Sequence, residues 1–153
     1  MKVVHFLTYL DSQTGGMERQ ALQLAKRLRE HGHEIFFITC AHISRMRRER
    51  LKWRDVKDGF RVYRIPGFSG ARYLNMSFYG VGALIFLLFA RRRYQIIHAH
   101  QLYTSGAVAA FAKLFLHSKK LIVKDCCGGE FSDVKFLKAL LISWWVIRQM
   151  RSA

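Results

Sequence analysis

The sequence is poor in proline, in cysteine and in acidic side chains. It contains one proline, three cysteines and ten acidic residues in 153. Two of the cysteines, Cys126 and Cys127, are neighbours, which excludes a disulfide framework and a paired CxxC metal site and favours a reducing compartment. The N-terminus "MKVVHFLTYLD" has one positive charge and a short apolar stretch, which is not the pattern of a signal peptide. No repeat or low-complexity linker occurs and 51% of the residues are hydrophobic, so we expect one domain over residues 1–153.

Positive charge dominates the surface chemistry. The chain has 26 Lys and Arg residues against the ten acidic ones, for a formal net charge of +16. Such a balance favours an anionic partner, which is a membrane surface, a phosphorylated substrate or a nucleic acid. Nucleic acid ranks last because the sequence lacks a recognisable module and regularly spaced stacking aromatics.

Strand and helix patterns alternate along the chain. The predicted strands cover 3–9, 34–40, 59–67, 94–100 and 119–125, and helices are predicted after Gly16 and over 106–117. This order predicts an α/β fold with a mainly parallel sheet and helices on both faces. In such folds, ligands bind outside the carboxyl ends of the strands.

Two adjacent glycines, Gly15 and Gly16, lie in the first loop at that edge. Without side chains they let the backbone approach a ligand and expose helix N-terminal N–H groups to an anion. The alternative is that they only make a tight turn. The pattern GxGxxG is absent here, so a dinucleotide cofactor is not supported.

Three segments, "TGGMERQALQLAKRLREHGHEI", "YQIIHAHQLYTSGAVAAFAKLF" and "VKDCCGGEFSDV", occur in this order and spacing. Together they resemble the N-terminal half of a family 4 GT-B glycosyltransferase. The resemblance implies a Rossmann-like domain that binds mostly the acceptor, while a second domain binds a nucleotide-sugar as co-substrate. It also implies sugar transfer with retention of configuration and no further cofactor.

The same resemblance assigns site residues. Gly15 and Gly16 would face the donor diphosphate, and His100 and Gln101 would line the cleft after the fourth predicted strand. The residues that would follow the fifth strand on the same rim are Asp125, Gly128, Gly129 and Glu130. Glu130 is also able to cap the next helix, although Asp133 suits that role better.

The donor-binding domain of the family has no counterpart in these 153 residues. We therefore expect no transfer by this chain alone. The sequence ends in or just after the predicted helix "FLKALLISWWVIRQM", before the last elements of the first domain. This predicts a truncated product or one half of a split enzyme with a separate donor-binding chain.

The histidines of the fourth predicted strand have competing interpretations. We expect His98 and His100 to point to opposite faces, so that shared metal ligation is poor and no metal site is predicted. His98 would be packed inside. His100 is the candidate catalytic residue, since a near-neutral pKa would let it bind an acceptor hydroxyl or a developing charge. A nucleophilic role for Cys126 or Cys127 is disfavoured because the sequence fixes no base beside them.

Two apolar stretches bear on membrane binding. Residues 73–90 carry no charge over 18 positions, but polar residues and glycines dilute the first half, which favours a buried helix over a transmembrane span. The later stretch 136–147 holds Trp144 and Trp145, as in an interfacial or domain-contact helix.

The basic segment, residues 43–57, has seven Lys or Arg residues and two acidic ones. Its docking candidates are Arg45, Arg47, Arg48, Arg50 and Trp53. Each cation near an anionic leaflet is worth roughly 1 kcal/mol. The alternative is an ordinary solvated basic loop.

The leading hypothesis is therefore the acceptor-side domain of a retaining glycosyltransferase that acts on a polysaccharide or lipid-linked acceptor. It would work in the cytoplasm, peripheral to the inner face of the cell membrane. The alternative is a non-catalytic module that docks on anionic membrane or on a partner protein.

Overall fold

The computed structural model describes residues 1–10, 15–67 and 72–125 of the chain. Strands and helices alternate through most of this part. The elements are β1 Lys2–Phe6, α1 Gly16–Glu30, β2 Glu34–His42, α2 Ile43–Arg48, β3 Arg54–Lys57, β4 Phe60–Gly67, α3 Arg72–Phe89, β5 Ile96–Ala99, α4 Ala107–Lys113 and β6 Lys120–Val123. A 3₁₀ turn over Arg91–Arg93 precedes β5, and a π-helical turn over Leu102–Gly106 follows it.

The described strands form one sheet in the order β3-β4-β2-β1-β5-β6. All neighbours are parallel except β3 and β4, which are antiparallel. The central strand β1 pairs with β2 on one side and with β5 on the other. The prediction of a mainly parallel α/β sheet is confirmed.

Hydrophobic cores cover both faces of this sheet. On one face, Ala21 and Ala25 of α1 pack with Leu7, Phe37 and Phe60. On the other face, α3 and α4 pack over a larger core. Its described members include Phe6, Phe36, Ile38, Tyr63, Ile65, Tyr79, Leu87 and Tyr94. Helices on both faces are therefore confirmed.

The basic segment is more ordered than the sequence analysis expected. It forms the short helix α2 and the edge strand β3, where a docking segment or a solvated loop was predicted. A two-residue turn joins β3 to β4, with positive φ at Asp58 and Gly59 (50° and 78°). Asp-Gly is a preferred sequence for such hairpin turns, so this signal was present and was missed.

The apolar stretch 73–90 forms most of α3. Within the described residues, no helix combines the length and hydropathy that a membrane crossing requires. Instead, Tyr79, Ala83 and Leu87 bury one side of α3 in the core. Gly82 lets α3 approach β4 closely, because a Cβ atom there would lie 2.7 Å from Cγ2 of Ile65.

We expect Gly82→Ala to destabilise the fold by about 1 kcal/mol or more, because a methyl group overpacks the α3–β4 contact and this outweighs the higher helix propensity of alanine. Gly80→Ala is the matched control, since its Cβ would meet Cγ2 of Val108 at 3.4 Å, near ordinary contact. This control should be neutral or stabilising by up to about 1 kcal/mol. Denaturant unfolding measures both, and equal stabilities would contradict the close packing of α3.

Candidate functional site

The site lies at the carboxyl ends of β1, β5 and β6. The register places Phe6 beside Ala99 and Ala99 beside Val123, so the three strands end level with one another. The residues that follow are brought to one edge of the sheet. They are Thr8 after β1, His100 and Gln101 after β5, and Lys124 and Asp125 after β6.

Thr8, Gln101 and Thr104 form a half-buried polar cluster at this edge. The hydroxyl groups of Thr8 and Thr104 donate to Oε1 of Gln101 at 2.5 and 2.8 Å, and the two hydroxyl oxygens are 2.7 Å apart. The backbone carbonyl of Gln101 accepts from the N–H of Gly106 at 2.7 Å, within the π-helical turn. Turns of this type are frequent at functional sites. The cluster thus fixes Gln101 at the predicted rim. Sequence analysis missed both threonines, although each lies within three residues of a strand end or of Gln101.

Gly15 is the N-cap residue of α1, and its backbone is ordinary extended structure (φ −83°, ψ 130°). These backbone angles do not require a glycine. A Cβ atom on Gly15 would lie 1.5 Å from Oε2 of Glu18, so the absent side chain makes room for that carboxylate. Glu18 is only 7% exposed. Around Gly16, by contrast, a Cβ atom would have no described neighbour within 4 Å beyond the adjacent residues and the backbone of α1 itself.

Glu18 changes the electrostatics of this helix N-terminus. Its carboxylate lies in the first turn of α1, where it complements the helix dipole. It stands close to where the sequence analysis expected a ligand anion. An anionic ligand near Gly15 has to displace or avoid this side chain, whereas no side chain of the described residues occupies the space at Gly16. A glutamate three residues after the N-cap is a known start signal, so Glu18 was visible in the sequence.

A hydrogen bond joins helix α1 to the end of strand β6. Nζ of Lys124 donates to Oε1 of Gln20 at 2.5 Å, which connects the end of β6 to the second turn of α1. The start of α1 and the ends of β5 and β6 therefore share one edge, and exposed Asp125 follows directly.

Three histidines pack against one another beneath this edge. His98 is buried, as predicted. The prediction that His98 and His100 face opposite ways is wrong, because side chains two residues apart on a strand share a face. Their rings stack with centroids 4.2 Å apart. His5 on β1 is the register partner of His98, and its Nδ1 lies 2.7 Å from Nε2 of His100.

Burial keeps these rings uncharged. Desolvation, with the neighbouring His98 adding to it, lowers the pKa of His5 to about 3 and that of His100 to about 2. The pKa of His98 is lowered too, by burial and then by Lys124. The near-neutral pKa expected for His100 is therefore wrong. With 1% of its surface exposed, His100 lies behind the rim and is neutral at physiological pH.

The same cluster bears on metal binding. One ring nitrogen from each histidine lies within 4.8 Å of the others, a spacing that a metal ion is able to bridge. The prediction that His98 and His100 are poorly placed to share a metal ion is thus wrong. A hydrogen bond between neutral His5 and His100 accounts for two of the nitrogens without an ion. The cation Lys124 also acts on His98 and His100, which disfavours a second positive charge there.

Lowering the pH from about 7 to about 5 should destabilise the fold through these histidines. An unfolded histidine has a pKa of about 6.5, above the folded values of His5 and His100. Below about pH 6.5 these histidines therefore become protonated in the unfolded state but not in the folded state. By pH 5 each buried histidine lowers the free energy of unfolding by up to about 2 kcal/mol. Denaturant unfolding over this pH range measures the loss.

The double variant His5→Leu, His100→Leu should lose most of that pH dependence. Exposed His117 provides the control, and His117→Leu should keep the wild-type slope. A double variant with an unchanged slope would show that other groups cause the acid destabilisation.

The remaining predicted residues divide into two groups. In and after α2, Arg47, Arg48 and Arg50 are exposed, whereas Nε of Arg45 bonds Oε1 of Glu49 at 2.9 Å. Trp53 is 51% exposed. Other predicted residues lie outside the described part of the chain, namely Gly128, Gly129, Glu130, Trp144 and Trp145, together with Cys126 and Cys127.

Solved structures share this architecture. The catalytic domain of starch synthase IV from Arabidopsis thaliana, solved with ADP and acarbose, aligns with a TM-score of 0.56 and 19% identity over 79% of this chain and 33% of that one. MurG from Acinetobacter baumannii aligns over 92% of this chain and 50% of that one, with a TM-score of 0.49 and 14% identity. The six-stranded sheet of the described residues and its helices match the Rossmann-like fold of GT-B glycosyltransferases.

The family described as the glycosyl transferase 4-like domain matches residues 15–150, and the chain belongs to it. Similar curated proteins are gpi3 subunits of phosphatidylinositol N-acetylglucosaminyltransferase. The Schizosaccharomyces pombe protein is 27% identical over 116 residues, which is 74% of this chain and 23% of that protein. A Saccharomyces cerevisiae protein is 28% identical over 101 residues, which is 65% of this chain and 20% of that protein. The chain thus spans less than a quarter of these relatives.

Proposed function

We propose that this chain is the acceptor-side domain of a retaining glycosyltransferase that moves a sugar from a nucleotide-sugar to a polysaccharide or lipid-linked acceptor. Family membership supports the reaction class. The observation that carries the proposal is the shared edge of the sheet, where the Thr8, Gln101 and Thr104 cluster follows β1 and β5 and Lys124 after β6 bonds Gln20 of α1. Hydroxyl and amide groups fixed at a rim suit the binding of sugar hydroxyls.

The two sides of this edge would have different tasks. The open space at Gly16 lets a diphosphate approach the N–H groups at the start of α1. Gln101 would orient the acceptor, and neutral His100 would support the rim from beneath. Asp125, Gly128, Gly129 and Glu130 would extend this rim. The donor-binding half is then supplied by further sequence or by a separate chain, and these residues alone are inactive.

The names of the relatives support a lipid-linked acceptor and a partner chain. Those proteins are called subunits of an enzyme named for phosphatidylinositol and N-acetylglucosamine. We extend this to a location on the cytoplasmic face of the cell membrane, held there peripherally.

Gln101→Ala in the complete enzyme should lower sugar transfer by about 10- to 100-fold, because the acceptor is no longer held in its reactive orientation. Gln95 is the matched control. It precedes β5 at the opposite edge, where its Oε1 accepts from the N–H of Lys2 at 2.8 Å. Transfer from candidate nucleotide-sugars is measured for both variants.

Gln95→Ala should leave transfer within about twofold, since it lies far from the rim. Equal losses of transfer in the two variants would contradict the assignment of Gln101 to the site. If the enzyme reconstituted with a donor-binding half neither transfers nor hydrolyses any nucleotide-sugar, the proposed glycosyltransferase reaction is contradicted.

A second candidate function is docking on anionic membrane or a partner through the basic segment. The exposure of Arg47, Arg48 and Arg50 favours it. Changing all three to Glu should weaken binding to anionic vesicles at least tenfold, at roughly 1 kcal/mol for each cation removed. Vesicle sedimentation measures this. Unchanged binding would mean that the basic segment is an ordinary solvated surface.

A further inference from the structure

An apolar hollow opens between α3 and the β3–β4 edge of the sheet. Its volume is about 400 Å³, and Trp53, Ile85, Phe86, Phe89 and Arg93 are among the residues that line it. Trp53 is 51% exposed and its ring stands 6.0 Å from that of Phe86. The hollow is therefore open at a tryptophan and walled by aromatic and aliphatic side chains.

The outer side of α3 continues this apolar surface. Val81, Ile85 and Phe89 follow one another at four-residue spacing, so they lie along one stripe of the helix. They are 58%, 48% and 87% exposed. Contiguous exposed apolar side chains of this kind mark an interaction surface, unlike single scattered ones.

A second hollow, of about 330 Å³, is lined mostly by cations. Its charged residues are Lys2, Arg54, Arg61, Arg92, Arg93 and Glu34. Among the described residues that line this hollow, the one carboxylate, on Glu34, bonds Nζ of Lys2 at 3.2 Å, and four arginines have no carboxylate beside them there. Clustered arginines are suited to binding phosphate.

The two hollows meet at Arg93, which lines both. Its Nη1 lies 3.5 Å from the hydroxyl oxygen of Tyr63, a residue of the basic hollow whose ring packs against Phe86 of the apolar one. We call the α3 stripe and the two hollows the amphipathic edge. It places phosphate-binding groups directly beside hydrocarbon-binding ones.

We propose that the amphipathic edge binds an anionic phospholipid bilayer, with Trp53 and the α3 stripe in the hydrocarbon boundary and the arginines on lipid phosphates. The juxtaposition favours lipid over other occupants. The basic hollow holds four arginines and a single carboxylate, an excess of one sign that a surface of lipid phosphates neutralises, whereas a free phosphate makes no use of the apolar stripe. Tryptophan and arginine beside an apolar helix face are typical of interfacial binding.

This surface is distinct from the candidate site. Lys2 and Glu34 are the first residues of β1 and β2, and Arg61 is the second of β4, so the basic hollow lies at the amino ends of the parallel strands. The polar cluster around Gln101 lies at the carboxyl ends. A lipid held here anchors the domain and is not the sugar acceptor. The proposal does not depend on transfer activity, and its test requires none.

The test is sedimentation of the full chain with vesicles of phosphatidylcholine, alone or with about one phosphatidylserine in three lipids. Arg61→Glu with Arg92→Glu should weaken binding to the anionic vesicles about thirtyfold, and Phe89→Ser about tenfold. The matched control is Lys26→Glu with Arg27→Glu, an equal charge change on exposed positions of α1. It should change binding less than about threefold.

Thermal unfolding confirms that the variants fold, which is expected because Phe89, Arg61 and Arg92 are exposed. The proposal is overturned if the wild type ignores anionic vesicles, or if the α1 control loses as much binding as the arginine variant. Displacement by inorganic phosphate with no effect of Phe89→Ser would assign a free anion instead. A wild-type dimer that Phe89→Ser converts to monomers would assign the stripe to a second copy of the chain.

Discussion

The structure depends on burying histidine in its central strand. His5 is inaccessible to solvent on β1, where Val4 and Phe6 face the opposite core. A buried imidazole is tolerable only when it is neutral and hydrogen-bonded, and His100 provides the bond at 2.7 Å. This fixes the register of β5 on β1, because a one-residue slip would turn His98 and His100 to the other face. The same register sets where β5 ends, and hence where Gln101 stands.

Most of the architecture was predictable because it rests on local patterns. Apolar runs separated by an amphipathic helix and by glycine gave the parallel strands and α1, as the structure confirms. The edge strand β3 was missed because charged residues obscure its alternation, and only the Asp58-Gly59 turn reveals the hairpin. Length arguments correctly favoured a packed helix over 73–90, since one side of α3 fills the core.

The candidate site was predictable in position and not in chemistry. Strand ends converge by topology, so Gln101 and Asp125 could be assigned to one edge from their places in the chain. Contacts between distant residues are another matter. The approach of Thr8 to Gln101, the fold of Glu18 over Gly15 and the low pKa of His100 all arise from packing between elements. Distances between residues far apart in the chain cannot be deduced from a single sequence. The family assignment suggests roles for residues but does not supply these distances.

The net charge of +16 is known from the sequence, but the positions of the cations are known only from the structure. As a total, it favours an anionic partner and does not say where on the molecule that partner binds. The candidate site at the carboxyl ends of the strands is one place to expect it. In the structure, that edge carries hydroxyl, amide and carboxylate groups from Thr8, Gln101 and Glu18, with Lys124 engaged by Gln20. The arginine-lined hollow lies at the other end of the strands, beside exposed hydrocarbon. Because interactions between exposed charges are screened over about 10 Å at 0.1 M salt, these arginines attract mainly the anions that lie close to the hollow. The excess charge therefore bears on the proposed membrane-binding surface rather than on the candidate site.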